Sequence, residues 1–293
     1  MGKRIFLFLL TNLAVVLTLS VVMSVLGVGN YVGPGGLYLG ALAMFSLVWG
    51  MGGALISLEM SRWIAKRATG VRVVDGQTGQ SDLDWLYQTV QRLTQKANLP
   101  MPEVGVYDSP EVNAFATGPS KRRSLVAVSS GLLRSMRPNE VEGVLAHEVA
   151  HIANGDMVTM TLLQGVINAF VIFFARLIAF AVRQGSDSRN GVALSYMVMF
   201  ALEIVLGLLG SMVTAWFSRQ REFRADAGGG AMAGTDNMLA ALRRLAANQN
   251  LVETQHQALA TMKINGARGW MLFFSTHPPL EDRISALEAS RRR

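Results

Sequence analysis

The sequence predicts a mainly α-helical membrane protein with a small β-sheet: about four transmembrane helices and a mixed α+β part that stays in water. Three observations predict it. Long apolar runs occur almost without charge, basic clusters sit at their ends, and the polar stretches carry apolar residues at helix or strand spacing. Hydrophobic residues make up 51% of the 293 and charged residues 16%, a balance far from that of a soluble domain. The net charge of +7 does not read as a nucleic-acid surface, because Arg62, Lys66, Arg67 and Arg72 lie beside apolar runs. They read as topology signals, so the expected partner is the lipid bilayer and not nucleic acid. No cysteine is present, which excludes disulfides and thiolate metal sites. Any metal must use histidine, carboxylate or water.

Residues 5–27 hold no charge and follow Lys3 and Arg4, as in a membrane helix with a cytoplasmic N-terminus. A cleaved signal peptide is the rival, but the run is longer than an ordinary signal core and lacks a small-x-small cleavage site. A link over 28–34, with Gly29, Asn30, Gly33 and Pro34, leads into a second span over 35–58, making residues 1–60 a transmembrane hairpin. The soluble part resumes over 61–156. Ser81 is expected to cap a helix running to Lys96, and residues 104–107 and 124–129 read as strands flanking a shorter extended piece, 113–118. The strands read first as scaffold; an exposed edge beside a metal helix also suits backbone pairing with an extended peptide.

Residues 157–182 and 192–217 form a second expected hairpin, interrupted by Gln164, Arg176 and Glu203. In a symmetric hairpin Arg176 and Glu203 differ in depth by about 7 Å at helical rise, so a polar contact between helices is preferred and a direct ion pair stays open. Tyr31, Tyr38 and Tyr196 fall near the outer face, Trp63 and Trp216 near the inner one. Two crossings return the chain to the side it left, so residues 218–293 rejoin 61–156. Helices are expected over 236–247 and 280–289, the last started by Pro278 and Pro279.

The chemistry centres on an H-E-x-x-H pattern, His147, Glu148 and His151. On a helix, residues four apart share a face, so both imidazoles address one metal ion with Glu148 beside them as a base. Pro138 suits the first helical position, and Glu140 and Glu142 favour the positive end. Catalytic zinc takes three protein ligands and keeps one position open. A third histidine of the extended pattern would fall on Met157 and its glycine on Asn154, which excludes that pattern. His256 reads as a surface residue in a polar helix. His277 precedes two prolines, and a carboxylate is the expected third ligand; Glu222 is the best placed, with Asp226 four residues on to orient a ligand histidine. The same spacing suits a plain helical charge cluster with Arg219, Arg221 and Arg224.

Together with the residues 113–116 (Asn113, Ala114, Phe115, Ala116) and the segment from Thr276 through His277, Pro278 and Pro279 to Arg283, these motifs resemble those of the HtpX-type bacterial membrane zinc metallopeptidases of family M48, relatives of the eukaryotic CAAX prenyl proteases. The resemblance covers nearly the whole chain. It implies a zincin-like (gluzincin) catalytic domain in the cytoplasm, one Zn2+ per chain on His147, His151 and Glu222, and Glu148 as base. It further implies His277 and Arg283 as stabilisers of the transition state and residues 113–118 as a substrate-pairing edge. It suggests peptide hydrolysis in damaged proteins of the bacterial inner membrane, as part of quality control and stress response. Arg224 departs from the pattern, where close relatives are expected to carry histidine. The rivals are a prenyl-protein or peptide-processing protease, disfavoured by the small number of spans, and a non-enzymatic membrane adaptor.

Overall fold

Apolar runs with no polar partner for their backbone must satisfy every N–H and C=O internally, and they do so as helices. The computed structural model describes residues 13, 15–25, 27, 31–34, 36–185, 191–255 and 275–291. Among these, three helices are long and apolar enough to cross a membrane: α2 (Leu39–Thr69), α6 (Asp156–Gln184) and α7 (Gly191–Ala233). A shorter apolar helix, α1 (Val15–Val25), lies within the first expected span, whose opening residues fall outside the described ones. Two compact units result, one of Met1–Glu59 with Thr159–Thr214, the other of Met60–Val158 with Ala215–Arg293.

In the first unit, a two-stranded hairpin places β1 (Val32–Gly33) in the expected link and β2 (Gly36–Leu37) at the start of the expected second span, so that the helix begins only at Leu39. Strands of two residues are too short to display any alternation. Small residues let the long helices approach one another: a Cβ on Gly50 of α2 would collide with the backbone of Ala169 on α6, and one on Gly210 of α7 with Ile167. Arg176 Nη1 donates to Glu203 Oε1 at 3.0 Å, so the direct pair left open by the depth arithmetic is formed.

In the second unit the sheet runs β3 (Arg72–Val74), β4 (Glu103–Tyr107), β6 (Arg123–Ser129), β5 (Ala114–Ser120), with β4 and β6 parallel and the other pairs antiparallel. Strand β3 was not expected; three residues carry no legible period. Strand β5 lies at the edge of the sheet. Helix α3 (Ser81–Lys96) packs Leu86, Val90 and Leu93 into the main core. Ser81 does not cap it: Gln80 holds the N-cap position, and Ser81 is already helical with no capping bond from a side chain. Asp84 organises that end instead, accepting from Thr78 N and Thr78 Oγ1 at 2.8 Å each. Its carboxyl is held below its ordinary value chiefly by these Thr78 bonds. After the short α4 (Ser130–Ser135), helix α5 (Pro138–Asn154) starts with Pro138, and Glu140 accepts from Arg137 N at 2.8 Å. Val141, Leu145, Val149 and Ile152 are buried, which makes α5 the core helix.

Helix α8 (Thr235–Gln255) packs along α5, and α9 (Leu280–Arg291) packs on α8 through Leu287, Met238, Leu239 and Leu242. His256 lies outside the described residues. The α5–α8 contact is close because Gly143 has no side chain: a Cβ there would meet Asn237 O at 2.5 Å and Ala241 Cβ at 2.8 Å. Gly143→Val is therefore expected to lower stability by about 1–3 kcal/mol through overpacking, read as a fall in the thermal unfolding midpoint in detergent. An unchanged midpoint would mean that α5 and α8 part without cost.

Candidate metal centre and active site

Helix α5 places His147 and His151 on one face, their rings edge to face with centroids 4.6 Å apart. Each ring is fixed by a carboxylate. His147 Nδ1 lies 2.9 Å from Asp226 Oδ1, and His151 Nδ1 lies 2.6 Å from Asp156 Oδ2. A neutral imidazole that donates its Nδ1 hydrogen to such a carboxylate presents a lone pair at Nε2, and the two Nε2 atoms face each other at 3.0 Å. Glu222 comes in from α7, its Oε1 3.4 Å from His151 Nε2 and its Oε2 3.4 Å from His147 Nε2. Helix α7 continues unbroken from Gly191 through Glu222 to Ala233, so the metal-facing carboxylate and its i+4 partner Asp226 sit on one helix rather than on a separate segment after it.

Glu222 is 1% exposed, and its Oε2 has no aligned hydrogen-bond donor although His277 Nδ1 stands 3.0 Å away. Burial raises its carboxyl, yet His147, His151 and His277 outweigh burial and hold it well below the carboxylate range. For His151, burial disfavours charge, but Asp156 and Glu222 raise the pKa to about 9. His147 is likewise opposed by burial and raised by Asp226 and Glu222. The side chains thus ask for positive charge between two nitrogens and one carboxylate. Those ligand atoms lie within 4.8 Å of one another, and a His, His, Glu set of neutral imidazoles and carboxylate is one that zinc takes in catalytic sites. The residues fit the metal.

Arg283, on α9 and 7% exposed, grips Asp226 with two bonds, Nε to Oδ2 at 2.7 Å and Nη2 to Oδ1 at 2.6 Å. Burial raises the Asp226 carboxyl, but Arg283 and His147 bring it below its ordinary value. Arg283 Nη1 remains, 3.4 Å from Glu222 Oε2. His277 is exposed, and its segment is tied to α7 by Arg219 Nη1 donating to Ser275 O at 2.8 Å. Glu148 is partly buried and lines a cavity of about 160 Å3 together with His147, Glu222, His277, Arg283 and the edge residues Asn113 and Ala114. Phe115 packs instead beside Tyr107 on the sheet, with centroids 5.7 Å apart, while Ala116 packs against the main core.

Asp156 is the residue that sequence reasoning missed. Gly155 closes α5 in the left-handed region (φ 69°), and the chain turns there so that Asp156, first in α6, reaches back to His151. Asn154-Gly155-Asp156 in the sequence marks the end of the helix, but nothing in its spacing ties Asp156 to the His151 ring. Asp226→Ala leaves His147 Nδ1 without its acceptor and Arg283 buried without a carboxylate. Zinc affinity is expected to fall about 10–100-fold, measured by competition with a chromophoric chelator. Parent-like affinity would show that the ring is oriented by something else.

Residues 80–291 match peptidase family M48. The chain is 52% identical over 295 residues to the Protease HtpX of Idiomarina loihiensis, covering 99% of this chain and 100% of that protein. It is also 52% identical to a Protease HtpX homolog of Bacillus licheniformis, again over 99% and 100% of the two chains. Among solved structures, S. mikatae Ste24p has a similar fold, with a TM-score of 0.63 at 18% identity, over 98% of this chain and 67% of that one. With the matched profile spanning most of its length and the histidine–carboxylate group in place, the chain belongs to peptidase family M48 and is a membrane metalloprotease that uses zinc.

Proposed function

We propose that this protease cleaves damaged or misfolded membrane proteins at the cytoplasmic face of a bacterial inner membrane, as part of quality control under stress. The observation that carries the reading is the shared cavity, in which Glu148, the metal-facing groups and the end of the edge strand β5 line one space. Residues 1–60 and 157–217 form its two transmembrane hairpins, and 61–156 with 218–293 its catalytic domain. The basic residues Arg62, Lys66 and Arg67 support a cytoplasmic end for α2. The relatives' printed names support the protease reading and the resemblance of the motifs supports the role in quality control.

His147, His151 and Glu222 would hold the zinc, which when bound would supply Lewis acidity for a water molecule and the scissile carbonyl. Asp226 and Asp156 keep the two imidazoles in the tautomer that presents Nε2. Asn113 to Ala116 offer edge backbone to an extended substrate, aligning the scissile bond across Glu148. Glu148 takes a proton from the attacking water and returns it to the leaving amine. His277, exposed at the cavity, donates to the oxyanion of the tetrahedral state, and Arg283 Nη1 adds positive charge from beneath while its other nitrogens hold Asp226. Leu132, Val144 and Leu242 add apolar surface to the cavity lining, which favours an apolar side chain beside the cleaved bond.

Glu148→Gln is expected to keep zinc and lose about 10²–10⁴-fold in cleavage of an unfolded membrane substrate. Cleavage at the parent rate would sink the base assignment. A reporter fused after Arg293 is expected to score as cytoplasmic in whole cells; a periplasmic signal overturns the topology.

A further inference from the structure

The transmembrane unit carries a polar face that the catalytic centre does not use. On α6, Gln164, Asn168 and Arg176 recur at intervals of four and eight, so they share one side of the helix over about 18 Å. Gln164 Nε2 donates to Asn168 Oδ1 at 2.8 Å. Arg176 pairs with Glu203 and lies over the Phe45 ring, 5.2 Å from its centroid. All of them line a groove of about 550 Å3 to which α2 contributes Phe45 and Trp49 and α7 contributes Glu203 and Gly207.

In hydrocarbon an amide keeps looking for partners, because nothing in lipid replaces water. Gln164 and Asn168 offer four N–H donors and two carbonyl acceptors between them, and among the described residues their mutual bond uses one of each. Glu203 binds Arg176 through Oε1, and its side chain is 36% exposed. The remaining capacity faces a groove whose other lining residues, Ile167, Val171 and Ile172, are apolar. A groove lined by three helices, mostly apolar but with hydrogen-bonding groups among its lining residues, has the chemistry to receive one more helix that carries a polar side chain of its own.

We propose that this groove binds a membrane-spanning helix of a client protein through a hydrogen-bonding side chain within that helix. Such a side chain is left unsatisfied when a membrane protein loses the helix it normally packs against, so the groove selects orphaned or misassembled spans. The inference rests on the proteolytic reading above and names its client by chemistry.

The test uses the full chain carrying Glu148→Gln in phosphatidylcholine–phosphatidylglycerol nanodiscs, with a photoreactive residue replacing Val171. Two single-span peptides are offered, identical except for Asn or Leu at mid-span. The Asn peptide is expected to be captured about three- to thirtyfold more than the Leu peptide. Gln164→Leu with Asn168→Leu should reduce its capture to the Leu level, with bound zinc unchanged as the sign of an intact catalytic unit. Equal capture of both peptides, or capture chiefly of a second copy of this chain, overturns the groove. Separately, if the unsubstituted protein cleaves neither a membrane substrate nor an unfolded soluble polypeptide, the proposed function fails whatever the capture ratio.

Discussion

The carboxylate of Glu222 sets the terms for the catalytic unit. A buried carboxylate without partners costs several kcal/mol, a large part of a domain's net stability. Here it is compensated from three directions: by His147 and His151 on α5, by His277 on the segment before α9, and by Arg283 on α9. Each compensating group needs its own support. Asp226 holds both Arg283 and His147, so removing it disturbs two elements at once. The site and the packing of α5, α7 and α9 are therefore one problem in electrostatics. A divalent cation held by His147, His151 and Glu222 would supply the positive charge that this cluster calls for.

Bringing Glu222 and Asp226 to His147 requires α7 to run close beside α5, and its sequence bears the cost. Three consecutive glycines, Gly228 to Gly230, sit inside a helix, each about 0.8–1 kcal/mol less favourable there than alanine. A Cβ on Gly228 would come within 3.1 Å of Ala150 Cβ, and one on Gly229 within 3.1 Å of His147 N. The absence of side chains lets the backbones meet at the level of the metal-facing histidine. Gly143 does the same on α5's contact with α8. Helix propensity is given up on α7 and backbone proximity gained, which is what a site built from two helices distant in sequence demands.

What was legible in the sequence follows from what is local. His147, Glu148 and His151 are tied by helical spacing alone, and Glu222 and Asp226 by the same spacing, so each half of the site could be read without its partner. Their meeting depended on the chain returning after residues 157–217, which charge and length implied. Asp156 was not legible as a partner of His151 because its position depends on one left-handed glycine, Gly155, rather than on a period. Strand β3 was missed because three residues become a strand only through pairing with β4, thirty residues later. At α3, Ser81 has the chemistry of a cap but lies inside the helix, after Gln80, and the end is organised by Asp84, which reaches the Thr78 loop with a full charge and two bonds.

The intramembrane pair exposes a weakness in reading depth from backbone rise. An offset of about 7 Å between Arg176 and Glu203 counts only Cα positions, whereas an arginine side chain is itself about that long and can lie along the helix to reach its partner. Backbone offset thus excludes short side chains from pairing but not arginine. An unpaired charge at the centre of a bilayer costs at least about 2.5–3.5 kcal/mol, so on apolar helices such as α6 and α7 the salt bridge accounts for why Arg176 and Glu203 tolerate each other. It does not account for Gln164 and Asn168, which continue the same face of α6 and have no charge to neutralise. Charge balance needs two residues there; a hydrogen-bonding surface needs all four.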